Sequence, residues 1–481
     1  MRLSKSQFIR GLQCNKSLWL YRHRPELRTE PDEALQALFD SGTDVGVLAQ
    51  GLFPGGEEII YDYEKFQENI VRTRELIESG VKTIYEATFL HDDVLVMVDI
   101  LHKKKKGWEI YEVKASTKLK PVHENDVAVQ YYVVSGSGLK VSRASLVHIN
   151  NQYTRLGDLD INALFTMVDL TELARGMQAN VQEQLRSQKE MISGAEPQID
   201  IGPHCSDPYD CDFQEHCWQH VPEYSIFDIN GLYDSKKFEL YRSGVLSLDD
   251  IPSDYSLSKT QRIQVDGTKI INKANIKKFL KTITGTVGFL DFETFMEAVP
   301  LFDGQRPYQQ IPFQYSLHVG GNGSLDHFEF LGELGSDPRQ ELARRLIADA
   351  KDCDTILVYN QAFENRILRE LAEFLPDLAG GLEDISSRII DLMKPFQAKD
   401  YYVREMKGSY SIKSVLPALV PEMNYADLGI SGGGMAMQAY SRLQALDDPA
   451  TAEQIKKDLL KYCEMDTLAM VKILEKLQNL T

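Results

Sequence analysis

The sequence predicts an α/β (α+β) protein with two mixed-sheet domains joined by a small helical connector. Three observations lead to this fold class. Apolar runs with strand periodicity accompany helical patterns in both halves of the 481-residue chain. Hydrophobic residues make up 43% of the chain, which can fill more than one core at this length. Between the halves lie short amphipathic pieces broken by Gly, Pro and Ser.

We place the domain boundaries where these patterns change. The first domain, 1–222, begins with a basic and aromatic segment, continues through strand-like runs and closes with a helix and a group of cysteines. The connector is 223–284. The last domain, 285–481, begins with sequential strands (TVGFLDFE, IPFQYSLHV and DHFEFL) and then alternates helix and strand before further helices. No internal repeat is recognisable.

The charge balance argues against one class of function. The chain has 53 Lys and Arg against 71 Asp and Glu, a formal net charge of −18. This argues against coating nucleic acid by bulk charge, because that binding depends on basic residues that neutralise phosphates. Metal-dependent nucleases, which need clustered carboxylates, stay possible. With no signal-peptide core and no apolar run of 18 residues, we expect a cytoplasmic protein without a membrane span.

The cysteines predict a bound metal or cluster. Cys205, Cys211 and Cys217 form a C-x5-C-x5-C group, and Cys14 is the natural fourth ligand. In a chain with no export signal, grouped thiols favour a metal site over disulfides. Zinc usually takes a tighter knuckle, whereas this loose spacing is compatible with an iron-sulfur cluster held by four Cys. Buried cysteines without a ligand are the alternative.

A first group of catalytic candidates lies between residues 86 and 114. We predict a strand ending in Glu86, a strand ending near Asp99, a turn, and a strand that carries Glu112 and Lys114. Residues two apart on a strand face the same side, so Glu112 and Lys114 project together, and Asp99 can complete a metal pocket. Two carboxylates with a lysine suit phosphodiester hydrolysis. A lone E-x-K also occurs on solvated strand faces.

The order of these motifs resembles the RecB-type PD-(D/E)XK nucleases that carry a cysteine-held [4Fe-4S] cluster. The resemblance covers about the first 220 residues. The chain departs from the family where Gln50 replaces the usual His, and where Val134 replaces the Tyr of Q-x3-Y. The resemblance implies Asp99 and Glu112 as metal ligands, Lys114 as the catalytic lysine and Glu86 as an accessory carboxylate. It also implies Gln130 as a helix residue near the substrate. The implied cluster ligands are Cys14, Cys205, Cys211 and Cys217.

A second group of candidates lies in the last domain. GFLDFETF places Asp291 and Glu293 two apart on an apolar strand, so both carboxylates share one face. Buried carboxylates are costly without a cation, which favours a metal, although an Arg or Lys partner is the alternative. Further along, Glu364 follows a strand-to-helix turn, and Tyr462 and Asp466 stand at i and i+4 on a helix. Taken alone, that last pair could be a surface pair.

Together these motifs resemble the DnaQ-like exonucleases of the RNase H fold, in the branch with Tyr before the last Asp. The family normally has Asp where Glu364 stands. However, YNQAFENRIL, RIIDLMKPF and GSYSIKSVLPAL look like an uncharacterised bacterial domain family that has Glu there and follows a RecB-like domain. The resemblance implies hydrolysis with two Mg²⁺ or Mn²⁺ ions and Tyr462 orienting the water. Asp391 is a candidate for a place beside the metal ligands or in contact with the substrate, with a role at a helix N-terminus or turn as the alternative. The implied metal ligands are Asp291, Glu293, Glu364 and Asp466.

From these resemblances we expect a metal-dependent nuclease with two candidate sites, the C-terminal one a 3′ to 5′ exonuclease, acting on single strands or ends. The expected partner is nucleic acid, DNA in preference to RNA, in repair or defence. A nucleic-acid-binding or scaffold protein with one or both sites inactive is the alternative. A zinc-stabilised adaptor is a third reading, which a colourless, iron-free protein would indicate.

Overall fold

The computed structural model describes residues 2–60, 65–321, 324–425, 428–444, 446 and 448–481. The chain divides into two compact units, one of residues 1–220 with 297–308, the other of residues 221–296 with 309–481. The segment predicted as a connector belongs to the second unit. Helices combined with mixed sheets confirm the predicted α/β class. Within the described ranges, the helices lack the combination of length and apolar character that a membrane span requires.

The first unit is built on one mixed sheet with helices. Its strands are β1 (Leu3–Ser4), β2 (Glu57–Glu58), β3 (Thr83–His91), β4 (Val94–Lys104), β5 (Gly107–Lys114), β6 (Val141–Ile149) and β7 (Phe165–Asp169). Its helices are α1 (Lys5–Gln13), α2 (Asn15–His23), α3 (Glu33–Ala49), α4 (Phe66–Glu78), α5 (Pro121–Gly136), α6 (Ile161–Leu164), α7 (Thr171–Gly176), α8 (Gln178–Ile192) and α9 (Gln214–Cys217). The strand order is β2-β3-β4-β5-β6-β7, with β1 beside β4.

Two strands of this sheet are longer than the sequence indicates. We predicted that they end at Glu86 and near Asp99, but β3 continues to His91 and β4 to Lys104. Glu86 has a φ of 56° and interrupts the pairing of the two strands, which resumes one residue later at Ala87. Glu86 and Asp99 therefore lie in the middle of an apolar hairpin, although the sequence pattern alone suggests that the strands end there.

The second unit has a five-stranded sheet and a small two-stranded one. Its strands are β8 (Ile270–Ile271), β9 (Val287–Phe295), β10 (Ile311–Gly321), β11 (Ser324–Leu331), β12 (Thr355–Val358), β13 (Ile389–Asp391) and β14 (Tyr401–Tyr402). Its helices are α10 (Asp234–Arg242), α11 (Lys259–Val265), α12 (Lys273–Leu280), α13 (Arg339–Asp349), α14 (Gln361–Phe374), α15 (Ala379–Ser387), α16 (Lys394–Gln397), α17 (Ile412–Leu419), α18 (Gly433–Leu443) and α19 (Pro449–Asn479). The larger sheet has the order β11-β10-β9-β12-β13.

Strand alternation divides β9 between a core face and a polar face. Leu290 and Phe292 belong to the hydrophobic core that includes residues of α13, α14 and α15. Asp291 and Glu293 point to the other face, because successive side chains of a strand alternate. The long helix α19 packs on β9 and β10. The two carboxylates therefore lie under α19, close to Asp466 of that helix.

Candidate functional site

Three carboxylates from β9 and α19 meet in the second unit. Oxygen atoms of Asp291, Glu293 and Asp466 all lie within 4.8 Å of one another. Glu293 and Asp466 are buried, at 8% and 7% exposure, and Asp291 is partly exposed. The thiol of buried Cys463, one turn before Asp466 on α19, lies 3.9 Å from Asp291 Oδ2. Three of the four carboxylates that the sequence assigns to this site are thus in one group.

The fourth predicted carboxylate, Glu364, lies in the first turn of α14. It is 1% exposed, and its Oε2 has no hydrogen-bond partner among the described residues. Burial, with the nearby charge of Asp391, raises the pKa of Glu364 to about 8. Asp391 accepts hydrogen bonds from the backbone N–H groups of Asn360 and Gln361, so it also stabilises the start of α14. Glu364 in turn helps to raise the pKa of Asp291.

The electrostatics of this group favour a bound cation. Burial and then the charge of Asp466 raise the pKa of Glu293 to about 8 and that of Asp291 well above its usual range. Burial raises the pKa of Asp466 to about 6, although hydrogen bonds from Tyr425 and Tyr462 work in the opposite direction. Carboxylates that repel each other in a buried site are stabilised by a divalent cation, which reverses the sign of the local field. Glu364, whose Oε2 has no hydrogen-bond partner among the described residues, adds a further negative charge that raises the pKa of Asp291.

Two side chains that the sequence did not single out complete the surroundings. The hydroxyl of Tyr425 donates to Asp466 Oδ1 at 2.6 Å, beside the predicted Tyr462. Lys413 Nζ lies 5.5 Å from the centre of the Tyr462 ring and donates to the carbonyl of Ser431 at 2.6 Å. Lys413 stands in the GSYSIKSVLPAL stretch that carries the family resemblance, whereas Tyr425 has no comparable sequence signal.

The predicted residues of the first unit gather around Glu112, which is 1% exposed. The side-chain amide of Gln130 donates to it, and Lys114 Nζ lies 2.7 Å from its Oε1. A second lysine, Lys5, lies at the same distance from that oxygen, and Lys114 also pairs with buried Asp126 at 2.9 Å. Burial works to raise the pKa of Glu112, but the charges of Lys114 and Lys5 outweigh it and lower the value to about 2.

Asp99 and Glu86 lie beside this ion-paired group. Asp99 Oδ2 accepts a hydrogen bond from the backbone N–H of Val113 at 2.6 Å, and burial with the charge of Glu112 raises its pKa to about 8. Burial also raises the pKa of Glu86, which Lys5 lowers. In the part of the chain that the structure describes, neither Asp99 nor Glu112 belongs to a three-ligand group within 4.8 Å. Lys5 and Lys114 instead both lie 2.7 Å from Glu112 Oε1.

Gln50 and Val134, the two residues that differ from the RecB-like pattern, both make contacts typical of a folded core or helix end. Gln50 directly follows α3, and its backbone carbonyl accepts a hydrogen bond from the Tyr85 hydroxyl at 3.4 Å. Val134 is a fully buried member of the hydrophobic core on α5. Packing in the core therefore accounts for an apolar residue at position 134.

The four grouped cysteines surround one pocket of the first unit. Cys14, Cys205, Cys211 and Cys217 all line it, and none of these four is in a disulfide. Burial raises the pKa of Cys14 and of Cys217, and the charge of Lys16 works against this for Cys217. Four thiols around one pocket are the donor set of a [4Fe-4S] cluster. In the part of the chain that the structure describes, no three of these thiols lie within 4.8 Å of one another, a wider spacing than the thiolates of one tetrahedral zinc have. The residues present therefore fit an iron-sulfur cluster.

Polar contacts fix α1 against the segment that carries the other three cysteines. Arg10 makes two hydrogen bonds to the carboxylate of Asp212, at 2.5 and 2.9 Å. The side-chain amide of Gln13 donates to the backbone carbonyls of His204 and Tyr209 at 2.8 and 2.7 Å. The start of the chain and the 203–217 segment are thus held together by protein contacts, and a cluster would reinforce them.

Comparisons with known proteins give relatives of unknown activity. Residues 288–411 match a family described as a domain of unknown function, DUF2779. The chain is 29% identical over 227 residues to the uncharacterised protein UU173 of Ureaplasma parvum serovar 3, covering 42% of this chain and 32% of that protein. It is 26% identical over 212 residues to the uncharacterised protein MG366 of Mycoplasma genitalium, covering 40% and 32%. The chain thus spans about a third of the length of the curated relatives that it matches.

Among solved structures, the chain has a low similarity to the family B DNA polymerase of the hyperthermophilic archaeon Pyrobaculum calidifontis. The TM-score is 0.28 at 12% identity, covering 79% of this chain and 43% of the polymerase. A similarity this low supports no statement about the fold or the activity.

Proposed function

We propose that this protein is a metal-dependent nuclease whose main active site is the carboxylate group of the second unit. The observation that carries the proposal is the meeting of Asp291, Glu293 and Asp466 within 4.8 Å, with the unpartnered carboxylate oxygen of Glu364 nearby among the described side chains. Buried carboxylates so close together are costly unless a cation neutralises them. Metal sites of this kind hydrolyse phosphodiester bonds in nucleases, and the resemblance to the DnaQ-like exonucleases favours that reaction here.

The residues of the second unit have distinct roles in this proposal. Asp291, Glu293, Glu364 and Asp466 would hold two Mg²⁺ or Mn²⁺ ions. Such ions activate an attacking water and stabilise the charge on the leaving oxygen in phosphodiester hydrolysis. Tyr462, which hydrogen-bonds to Asp466, would orient the attacking water. The resemblance to the DnaQ-like exonucleases supports removal of the terminal nucleotide in the 3′ to 5′ direction.

Lys413 supports a nucleic-acid substrate at this site. It is a cation beside Tyr462, and its charge lowers the pKa of both Glu293 and Asp466. The backbone approaches the same place at Gly433, where a Cβ atom would lie 3.7 Å from Glu293 Oε2. A cation and an open stretch of backbone next to a carboxylate group suit the phosphate chain of a single strand.

The first unit is proposed as a PD-(D/E)XK module with a structural [4Fe-4S] cluster. Asp99 and Glu112 would hold its Mg²⁺ or Mn²⁺, with Lys114 as the catalytic lysine, Glu86 as an accessory carboxylate and Gln130 positioning Glu112. One observation favours a second role for this module, as a nucleic-acid clamp without hydrolysis. Lys5 and Lys114 both pair with the Glu112 oxygen, which neutralises the site without a cation.

The substrate is proposed to be DNA, as single strands or ends, in repair or in defence against foreign DNA, in the cytoplasm. The alternative is a nucleic-acid-binding or scaffold protein with one or both sites inactive. In the second unit, Glu364 Oε2 has no hydrogen-bond partner among the side chains that the structure describes, which argues against this alternative, because a site that only binds nucleic acid gains nothing from repelling carboxylates.

The test is degradation of single- and double-stranded DNA and RNA, labelled at the 5′ or the 3′ end, with Mg²⁺ or Mn²⁺. Wild type is compared with Asp291→Ala, Lys114→Ala and the double variant. We expect loss with Asp291→Ala, and release of a labelled mononucleotide only from 3′-labelled substrate. Loss with Lys114→Ala alone would move the activity to the first unit, and absence of cleavage by all four proteins would favour the binding protein.

A further inference from the structure

A second group of metal-ligand side chains lies on the polar face of the larger sheet, outside the carboxylate site. His318 on β10 and His327 on β11 are directly opposite each other across antiparallel strands. Glu464 on α19 completes the group, and one ligand atom of each lies within 4.8 Å of the others. Two imidazoles and a carboxylate are a donor set that binds Zn²⁺ and leaves a fourth position for water. We propose that His318, His327 and Glu464 form a zinc site.

The ring of His318 is already fixed for this role. Its Nδ1 lies 2.8 Å from the hydroxyl oxygen of Thr467, and both residues are buried. This contact leaves Nε2 as the nitrogen available to an ion. Metal-binding histidines in proteins usually have their other ring nitrogen held by such a partner, which sets the orientation of the ring.

His327 is the adjustable member of the group. Its ring is stacked on that of His318, with centroids 4.4 Å apart and planes 24° apart, and its Nε2 lies 2.9 Å from Ser316 Oγ. In stacked imidazole rings the nitrogen lone pairs point in parallel directions and do not converge on one point. The ring of His327 must therefore rotate away from the ring of His318 before one nitrogen of each can bind the same ion. His327 is exposed on the edge strand, so its ring can rotate towards solvent. The rotation breaks its contact with Ser316, but the Ser316 hydroxyl keeps Thr467 as a partner at 2.7 Å, so the free-energy cost of the rotation is small.

An ion in this position would tie α19 to two strands of the sheet. Glu464 lies between Tyr462 and Asp466 on the helix, so the zinc site would fix the part of α19 that carries them. A metal that binds the folded state stabilises it, and tighter binding gives a larger stabilisation. The proposal concerns zinc binding itself and does not depend on the nuclease proposal.

The test measures the zinc content of the full-length protein after chelation, equilibration with Zn²⁺ in excess Mg²⁺, and gel filtration. Magnesium in excess competes for the oxygen ligands of the carboxylate site. His327→Ala and Glu464→Gln are compared with wild type and with Glu329→Gln, which removes an exposed carboxylate two residues along β11. The cysteine group is unchanged in all four proteins, so its zinc or iron cancels in the comparison.

We expect His327→Ala and Glu464→Gln each to retain one equivalent of zinc less than wild type, and Glu329→Gln to match wild type. The replaced side chains of the two test variants are exposed or half-buried, and matching circular dichroism spectra would show that the fold is kept. Wild-type zinc content in either test variant would overturn the three-ligand site.

Discussion

Replacing Glu364 by Gln should stabilise the metal-free protein, although it removes a residue of the proposed active site. Burial raises the pKa of Glu364 to about 8, against an ordinary value of 4.5. Gln has nearly the same shape and no charge, so the variant no longer has to keep a proton, or a charge, in a buried site. The same substitution should weaken the binding of divalent cations, because it removes a carboxylate ligand.

The magnitude follows from the two pKa values. One unit of pKa corresponds to about 1.4 kcal/mol, and pH 7 lies 2.5 units above the ordinary value, so Glu364 costs the metal-free protein about 3 kcal/mol at pH 7. Between pH 4.5 and 8 the folded state holds a proton that the unfolded state releases, so this contribution to the unfolding free energy falls as the pH rises. The advantage of Glu364→Gln should therefore shrink to about 1 kcal/mol at pH 5.

Native-state hydrogen exchange of peptides from β9, in EDTA, measures this unfolding free energy in the second unit. Tryptophan fluorescence would not, because Trp19, Trp108 and Trp218 all lie in the first unit. Glu329→Gln, which removes an exposed carboxylate of the same sheet, is the control and should change little. A Glu364→Gln protein no more stable than wild type at pH 7, or with an advantage that is the same at pH 5 and pH 7, would refute the reasoning.

Three further predictions concern the other groups. Cys211→Ser should remove the visible absorption and the iron of anaerobically purified protein and should lower the melting temperature of the first unit, followed by tryptophan fluorescence; unchanged iron would contradict the cluster. Tyr425→Phe removes a hydrogen bond to a carboxylate, worth roughly 1.5–3 kcal/mol, and should lower kcat by on the order of tenfold or more, with a smaller change in KM; a raised KM with unchanged kcat would indicate a binding role. Lys5→Ala leaves the buried carboxylate of Glu112 with one lysine and should destabilise the metal-free first unit by about 3 kcal/mol, with Mn²⁺ restoring part of the loss; no effect of Mn²⁺ would favour the clamp.

The sequence predicts the fold class and the carboxylate group of the second unit because both depend on local periodicity. Asp291 and Glu293 stand two apart in an apolar run, which requires a strand with both carboxylates on one face. The i and i+4 spacing of Tyr462 and Asp466 requires that they share a face of α19. Each helix or strand thus fixes the direction of its own side chains. The order of the motifs along the chain then indicates which helices and strands lie together in the site.

The contacts that the sequence did not reveal join residues far apart in the chain. Lys5 pairs with Glu112 across 107 positions, and Tyr425 reaches Asp466 across 41, so neither appears in any local pattern. The interruption of β3 at Glu86 depends on a positive φ, which a glutamate seldom adopts and no residue preference signals. Such features depend on tertiary packing, which requires the assembled structure.

The most direct test of the central claim is cleavage of an oligonucleotide whose 3′-terminal linkage carries sulfur in place of a non-bridging phosphate oxygen. Mg²⁺ prefers oxygen ligands, whereas Mn²⁺ accepts sulfur more readily. We predict that the sulfur slows Mg²⁺-supported cleavage and that Mn²⁺ restores it, in wild type and in Lys114→Ala, with no cleavage by Asp291→Ala. Equal rates for the oxygen and sulfur linkages in Mg²⁺, or cleavage that survives in Asp291→Ala, would contradict a metal-dependent nuclease site at these carboxylates.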